Sequence, residues 1–168
     1  LGVPVRLTHD VQRGKANLFA TIGEGKPDGV ILSGHTDTVP WDGQAWTRDP
    51  LRAALEGDRL YGRGSADMKG FIGLVVAQTE RVLAADLPHA IHYAFSYDEE
   101  LGCFGVPHLI ADLRDAGLAP RLCIIGEPTG LRPIVAHNGT ERYVVTTCGV
   151  SAHSSDPSRG VSAISPMA

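Results

Sequence analysis

Short apolar runs alternate with amphipathic segments along the first three quarters of the chain. Four runs have the length and composition typical of β-strands: residues 17–22, 30–33, 90–96 and 122–125. Residues 68–85 and 106–116 carry apolar side chains at helical spacing and predict two helices, the second of which ends before Gly117. Because strands alternate with helices, we expect an α/β fold with a mixed, largely parallel sheet flanked by helices.

Two further segments lack this alternation. Residues 41–64 are rich in Gly, Pro, Asp and Arg, which predicts a loop with a short hairpin around Leu60 and Tyr61. The Asn138-Gly139 turn signal predicts a domain boundary, with residues 1–138 on one side and residues 139–168 on the other. Around this boundary we expect two extended runs and the start of a helix: residues 133–136, residues 143–147 and Val161.

The composition of the chain indicates which classes of partner and which cellular location to expect. Its 168 residues are 43% hydrophobic, with a net charge of −4 and a mean hydropathy of −0.02, which predicts a soluble globular domain. A net negative charge disfavours binding to nucleic acid or to an anionic membrane. The three cysteines form no CxxC pair, so we expect free, buried thiols and a cytoplasmic location.

Polar residues that can bind a metal follow several of the predicted strands or begin a helix. They are His35, Asp37, Asp67, Asp98, Glu99, Glu100 and Glu127. Each has an ordinary alternative, such as a surface histidine, a solvated acidic turn or a loop before proline. Because sites in open α/β sheets form beyond the carboxyl ends of strands, the coincidence favours one negative pocket that a cation fills. Histidine and carboxylate ligands suit zinc, with cobalt or manganese as substitutes.

Five stretches resemble, in order, the motifs of the M20 family of metallopeptidases and deacylases. They are SGHTDTVPWDG, YGRGSADMKGF, SYDEELG, IGEPT and GVSAHSSDPSRGVSAI. Within the family, the resemblance is greatest to the acetylornithine deacetylase branch. It implies an incomplete zinc-peptidase-like catalytic domain in residues 1–138 and the beginning of an α+β lid or dimerisation domain in residues 139–168.

The resemblance also implies roles for seven residues of a two-zinc site. The implied ligands are His35, Asp67 as the bridge between the zincs, Glu127 on the His35 zinc and Glu100 on the other zinc. Asp37 would hold the other nitrogen of the imidazole, since a spacing of two along an extended chain places both side chains on one side. Glu99 would be the general base. His153 would reach from the lid into the site of a partner subunit, although a surface histidine is the simpler interpretation.

The expected activity is zinc-dependent removal of the acetyl group from N2-acetyl-L-ornithine, a small-molecule substrate, by a homodimer in arginine biosynthesis. The alternatives are a succinyl-diaminopimelate desuccinylase, a related M20 peptidase and an inactive metal-binding chain. Family members are longer and supply a further histidine, the last ligand of the Glu100 zinc, beyond the point that matches Ala168. We therefore expect this chain to bind one metal better than two and to have little or no activity alone.

Overall fold

A mixed five-stranded sheet forms the centre of residues 1–132. The structure is a computed structural model, and it describes residues 1–141 and 143–165. In chain order the strands are β1 (Val5–Asp10), β2 (Lys15–Ile22), β3 (Val30–His35), β4 (Ala54–Glu56), β5 (Arg59–Tyr61), β6 (Ile91–Ser96) and β7 (Leu122–Ile125). The sheet has the order β1-β2-β6-β3-β7, and β4 pairs with β5 in the predicted separate hairpin.

The directions of the strands bring several strand ends to one edge of the sheet. β3 runs parallel to both β6 and β7, whereas β2 is antiparallel to β6 and to β1. The prediction of a mixed sheet is confirmed, with two parallel and two antiparallel pairs. The carboxyl ends of β3, β6 and β7 therefore lie beside one another, next to the start of β2.

Three helices accompany the sheet: α1 (Lys69–Ala77), α2 (Thr79–Ala84) and α3 (Val106–Asp115). The prediction of a single helix over residues 68–85 is wrong in one respect. The helical segment is divided at Gln78 into α1 and α2. The Thr79 hydroxyl is buried and donates to the Val75 carbonyl at 3.5 Å, in addition to contacting the Tyr93 hydroxyl. Such back-bonding from threonine bends helices, which accounts for the division.

The core has two parts, one on each face of the sheet. On one face Ala20, Tyr93 and Phe95 pack with Val75 of α1. On the other face Phe19, Ile31 and Ala94 pack with Leu109 of α3. Neighbouring strand residues point to opposite faces, so β2 and β6 supply both parts, and β6 is the most completely buried of the strands described. Burial of these apolar side chains is the main force that fixes the sheet between its helices.

β1 is a strand that the sequence pattern did not predict. Its six residues mix polar and apolar side chains, and most of them are exposed at the edge of the sheet. It is held by antiparallel pairing with β2, from Val5 opposite Ala20 to Asp10 opposite Lys15. An exposed edge strand has little need for an apolar face, so it leaves a weak periodic signal.

Residues from 133 onward form a second compact unit. Within it Val150 and Val161 form an isolated antiparallel bridge, and a 3₁₀ turn spans Pro157–Arg159. The predicted runs 133–136 and 143–147 form no strand, residues 161–164 are not helical, and a 3₁₀ conformation is reached at Ser165. The rest of the helix predicted to begin near Val161 lies outside the described residues. The domain boundary at residue 138 remains a prediction.

One other expectation concerns the cysteines. Cys103, Cys123 and Cys148 are free but exposed, so the expectation of buried thiols is wrong. β7, which carries Cys123, is exposed along its whole length. In the part of the chain that the structure describes, we find no helix with the length and apolar character that crossing a membrane requires.

Gly126 allows a close contact between the end of β7 and Phe71 of α1, because a Cβ at this position would overlap the aromatic ring. We expect Gly126→Ala to lower the free energy of unfolding by about 1–3 kcal/mol, the usual effect of overpacking. In the matched control Gly73→Ala, the added Cβ meets no atom within 4 Å on α1. This control should be neutral or raise stability by up to about 1 kcal/mol. Urea unfolding measures both, and equal stabilities of the two variants would contradict the packing.

Candidate metal centre

One histidine and four carboxylates meet at the edge of the sheet where β3, β6 and β7 end. His35 is the last residue of β3, Glu99 and Glu100 follow β6, and Glu127 follows β7. Asp67 arrives from the loop before α1. The four segments are distant in sequence, and the parallel pairing of β3 with both neighbours brings three of them together.

The loop that carries Asp67 is shaped by backbone hydrogen bonds. The Lys69 amide donates to the Gly64 carbonyl at 2.8 Å, and α1 begins at Lys69, two residues after Asp67. Gly64 has a φ of 81°, and a Cβ there would clash with the Thr38 side chain. Glycine is therefore required at this turn on both conformational and steric grounds.

His35 is the centre of the cluster. Its side chain is 2% exposed, and its Nε2 atom lies 2.9 Å from Asp67 Oδ1. The same nitrogen is 3.8 Å from Glu127 Oε1 and 3.8 Å from Glu99 Oε2. One ligand atom from each of His35, Asp67 and Glu127 lies within 4.8 Å of the others. An imidazole nitrogen and two carboxylate oxygens at this separation fit a zinc ion, which accepts both kinds of ligand.

Asp37 contacts both His35 and the loop after β6. Its backbone carbonyl is 3.1 Å from His35 Nδ1, and its Oδ1 is 3.5 Å from the same nitrogen. Its carboxylate accepts hydrogen bonds from the Glu99 amide at 3.1 Å and from the Glu100 amide at 3.0 Å. The sequence predicted the proximity of Asp37 to the imidazole but gave no indication of its contact with the two glutamate amides.

The electrostatics of the cluster favour bound protons or a cation. Burial alone lowers the pKa of His35, but the hydrogen bond to Asp67 and the charges of Asp37 and Glu99 outweigh it and raise this pKa. Burial, followed by the negative charge of Asp67, raises the pKa of both Glu100 and Glu127. A cation placed among these groups would relieve the same repulsion that the protons relieve.

His153 lies in the second unit, where its side chain is exposed. Its Nδ1 contacts the Ser155 hydroxyl at 2.8 Å and accepts a hydrogen bond from the Ser155 amide at 3.3 Å. These contacts shape the loop locally, and the role of His153 toward a partner subunit remains a prediction.

His92, by contrast, is buried in the first unit. It contacts Thr21 Oγ1 at 2.9 Å and stacks on Phe19, so it belongs to the core.

Asp98 was among the candidate metal-binding residues, but it lies outside the grouping of three and forms ion pairs instead, and Cys103 had no predicted role at the cluster. Asp98 is 1% exposed and pairs with Arg13 and Lys15 from the β1–β2 hairpin. The Cys103 thiol donates to Glu99 Oε1 at 3.6 Å. The position of Asp98 beside two predicted site residues was the only signal in the sequence, because its partners are more than eighty positions away.

Comparison with known protein families identifies the family to which this chain belongs. A sequence profile of peptidase family M20/M25/M40 matches residues 31–162, which include His35, Asp67, Glu99, Glu100 and Glu127. The chain belongs to the M20 peptidase family. An M20 member is expected to use a divalent metal, and the three ligand atoms around His35 are suited to one.

Curated relatives carry a more specific name. An acetylornithine deacetylase of Proteus mirabilis (strain HI4320) is 42% identical over 155 residues, which are 92% of this chain and 39% of that protein. An acetylornithine deacetylase of Aliivibrio fischeri (strain MJ11) is 38% identical over 167 residues, which are 99% of this chain and 43% of the relative. The M20 chain thus spans about two fifths of the length of these relatives.

Solved structures agree with the M20 fold. An M20 family metallo-carboxypeptidase from Sulfolobus solfataricus matches with a TM-score of 0.65 and 25% identity, over 75% of this chain and 29% of that one. A tripeptidase from Staphylococcus aureus also has a TM-score of 0.65, at 18% identity, over 98% of this chain and 44% of that one. The second likeness concerns the fold alone.

The raised pKa values predict how stability depends on pH and on zinc. Because the folded, metal-free protein binds protons at His35, Glu100 and Glu127 more tightly than the unfolded chain does, these groups stabilise it at low pH. That contribution is lost as the pH rises through the raised values. Zinc should then increase Tm by roughly 5–10 °C at about pH 7.5 when its concentration is about 100 times Kd. At about pH 5 the increase should be half as large or less, because protons occupy the ligands.

Differential scanning calorimetry with and without zinc measures this effect. The control Glu24→Gln changes an exposed carboxylate away from the cluster and should keep the same pH dependence. An increase in Tm that is equal at both pH values would contradict the electrostatic account of the cluster.

Proposed function

We propose that this M20 chain provides the metal site of a zinc-dependent amide hydrolase that removes the acetyl group from N2-acetyl-L-ornithine. The observation that carries the proposal is the grouping of His35, Asp67 and Glu127, with one ligand atom each within 4.8 Å and the Glu99 carboxylate 3.8 Å from His35 Nε2. The names of the curated relatives support the choice of substrate. Release of ornithine is a step expected in arginine biosynthesis.

The two proposed zinc ions differ in the number of side chains that would hold them. His35, Asp67 and Glu127 would hold one zinc, and the buried position of His35 fixes the direction of its Nε2. Asp67 would also face a second zinc with Glu100, which is outside the grouping of three among the described residues. We therefore expect the first zinc to bind more tightly than the second.

The reaction needs a polarised amide carbonyl and an acidified water, and bound zinc would supply both. Glu99 would take the proton of the attacking water and pass it to the nitrogen of the leaving ornithine. Its side chain is 35% exposed at the same edge of the sheet, so it is open to a water and a substrate. The Cys103 thiol, which donates to Glu99 Oε1, limits the directions that the carboxylate can take.

Asp37 would position the groups that act directly. Its backbone carbonyl contacts His35 Nδ1, which favours the tautomer that leaves Nε2 free for a metal. Its carboxylate binds the amides of Glu99 and Glu100 and so fixes the base relative to the ligand. His153 would stabilise the developing negative charge of the substrate from a partner subunit of a homodimer.

Zinc stoichiometry provides the first test of the proposed ligands. We expect the purified protein to bind one zinc tightly, and Glu127→Ala to weaken that binding by more than about 100-fold, since changes outside the ligand shell already cost roughly 10–100-fold. The matched variant Glu100→Ala should leave the tight zinc in place. Metal analysis and calorimetry measure both, and equal affinities of the two variants would contradict the assignment of Glu127.

Substrate choice is tested in a chimera. Residues 1–168 are joined to the part of the P. mirabilis acetylornithine deacetylase that follows the matched segment, and the release of ornithine is measured. We expect hydrolysis of N2-acetyl-L-ornithine and a loss of at least about 100-fold in kcat for Glu99→Gln, as is typical for removal of a general base. Zinc content should be unchanged in this variant. Faster hydrolysis of N-succinyl-diaminopimelate would contradict the choice of substrate, and normal activity of Glu99→Gln would contradict the choice of base.

A further inference from the structure

The loop that carries Glu99 and Glu100 is bound at both of its ends to β2. Asn17 of β2 is 1% exposed, and its side-chain amide donates to the Gly105 carbonyl at 2.8 Å. Its Oδ1 accepts a hydrogen bond from the Tyr97 amide at 3.3 Å. The buried Asn17 side chain therefore binds both ends of residues 97–105. The conformation of the residues between these ends depends on other contacts.

Asp98 supplies the strongest of those contacts. Its side chain is 2% exposed, and its Oδ2 accepts a hydrogen bond from Arg13 Nη1 at 3.2 Å. Lys15 Nζ forms an ion pair with the other carboxylate oxygen. A carboxylate that is so completely buried must be paired, because an isolated charge in a protein interior is strongly unfavourable.

The loop and the hairpin share two further contacts. The Arg13 guanidinium lies 4.1 Å from the centre of the Phe104 ring, which closes over it. The Tyr97 hydroxyl donates to Asp10 at 2.9 Å, at the end of β1. The β1–β2 hairpin thus contacts Tyr97, Asp98 and Phe104 of the loop, whereas the Asp37 carboxylate binds the amides of Glu99 and Glu100 beside the metal centre.

We propose that Asp98, Arg13 and Lys15 are positioning residues, which hold the Glu99–Glu100 segment in the conformation that the Asp37 carboxylate binds and thereby set the metal centre. Asp98 is adjacent to Glu99 in the chain, so its paired carboxylate restrains the backbone that carries the amides bound by Asp37. Asp37 also contacts His35 Nδ1, so the effect reaches the imidazole. Only this last consequence, for the metal, rests on the proposed function.

Amide hydrogen exchange tests the positioning without any metal. In Lys15→Gln and in Asp98→Asn we expect the Glu99 and Glu100 amides to exchange at least about tenfold faster, because their hydrogen bonds to Asp37 open more often. Exchange at Tyr93 and Ala94, in the middle of β6, should be unchanged. Lys15→Arg keeps the ion pair and should restore the slow exchange.

The matched control is Lys26→Gln. Lys26 also pairs with an aspartate, Asp86, at 2.6 Å, but its hydrogen bonds go to Asp86 and Leu87 and not to the loop of residues 97–105. We expect it to leave the Glu99 and Glu100 amides unchanged. Equal acceleration in Lys15→Gln and Lys26→Gln, equal acceleration of the loop and β6, or no acceleration in Asp98→Asn would each overturn the proposal.

The effect on the metal centre is measured with cobalt, whose visible absorption depends on the number and arrangement of its ligands. We expect the cobalt spectrum of Lys15→Gln to differ from that of the unchanged protein, and the spectra of Lys15→Arg and Lys26→Gln to match it. A protein that binds no cobalt at all would contradict the proposed function but leave the exchange result intact. A normal cobalt spectrum with fast exchange would overturn the link from the loop to His35.

Discussion

The repulsion among the carboxylates around His35 is the constraint on which the site depends. Asp67, Glu99, Glu100 and Glu127 are brought to one edge by the chain itself, around the buried His35, and they are only partly exposed, so solvent reduces their repulsion without removing it. A folded chain tolerates such a group when protons or a cation neutralise it. The raised pKa values of His35, Glu100 and Glu127 show that bound protons reduce the repulsion in the metal-free protein. A zinc ion at the same place would reduce it as a cation.

The sheet makes this arrangement rigid. β3 lies between β6 and β7 and runs in the same direction as both, so the residues after these three strands have fixed relative positions. Packing of Phe95 and Ala94 on opposite faces holds β6 between two parts of the core. β6 and the end of β3, which carry Glu99, Glu100 and His35, are therefore well buried, whereas β7 before Glu127 is an exposed edge strand.

The sequence predicted the parts of this structure that depend on local patterns. Apolar runs indicated β2, β3, β6 and β7, and the residues that follow them indicated the cluster around His35. β1 escaped prediction because an exposed edge strand has no regular apolar face. The break at Gln78 depends on a threonine that bonds to Val75, which periodicity does not reveal. The pairing of Asp98 with Arg13 and Lys15 joins distant segments, so only the folded chain shows it.

X-ray absorption at the zinc edge of the metal-loaded protein tests the central claim most directly, because it identifies the atoms bound to the metal. We predict a ligand shell of nitrogen and oxygen atoms with the multiple-scattering signature of one imidazole, and loss of that signature in His35→Ala. A shell that contains sulfur, or that contains two or more imidazoles, would contradict the assignment of His35, Asp67 and Glu127 as the metal centre.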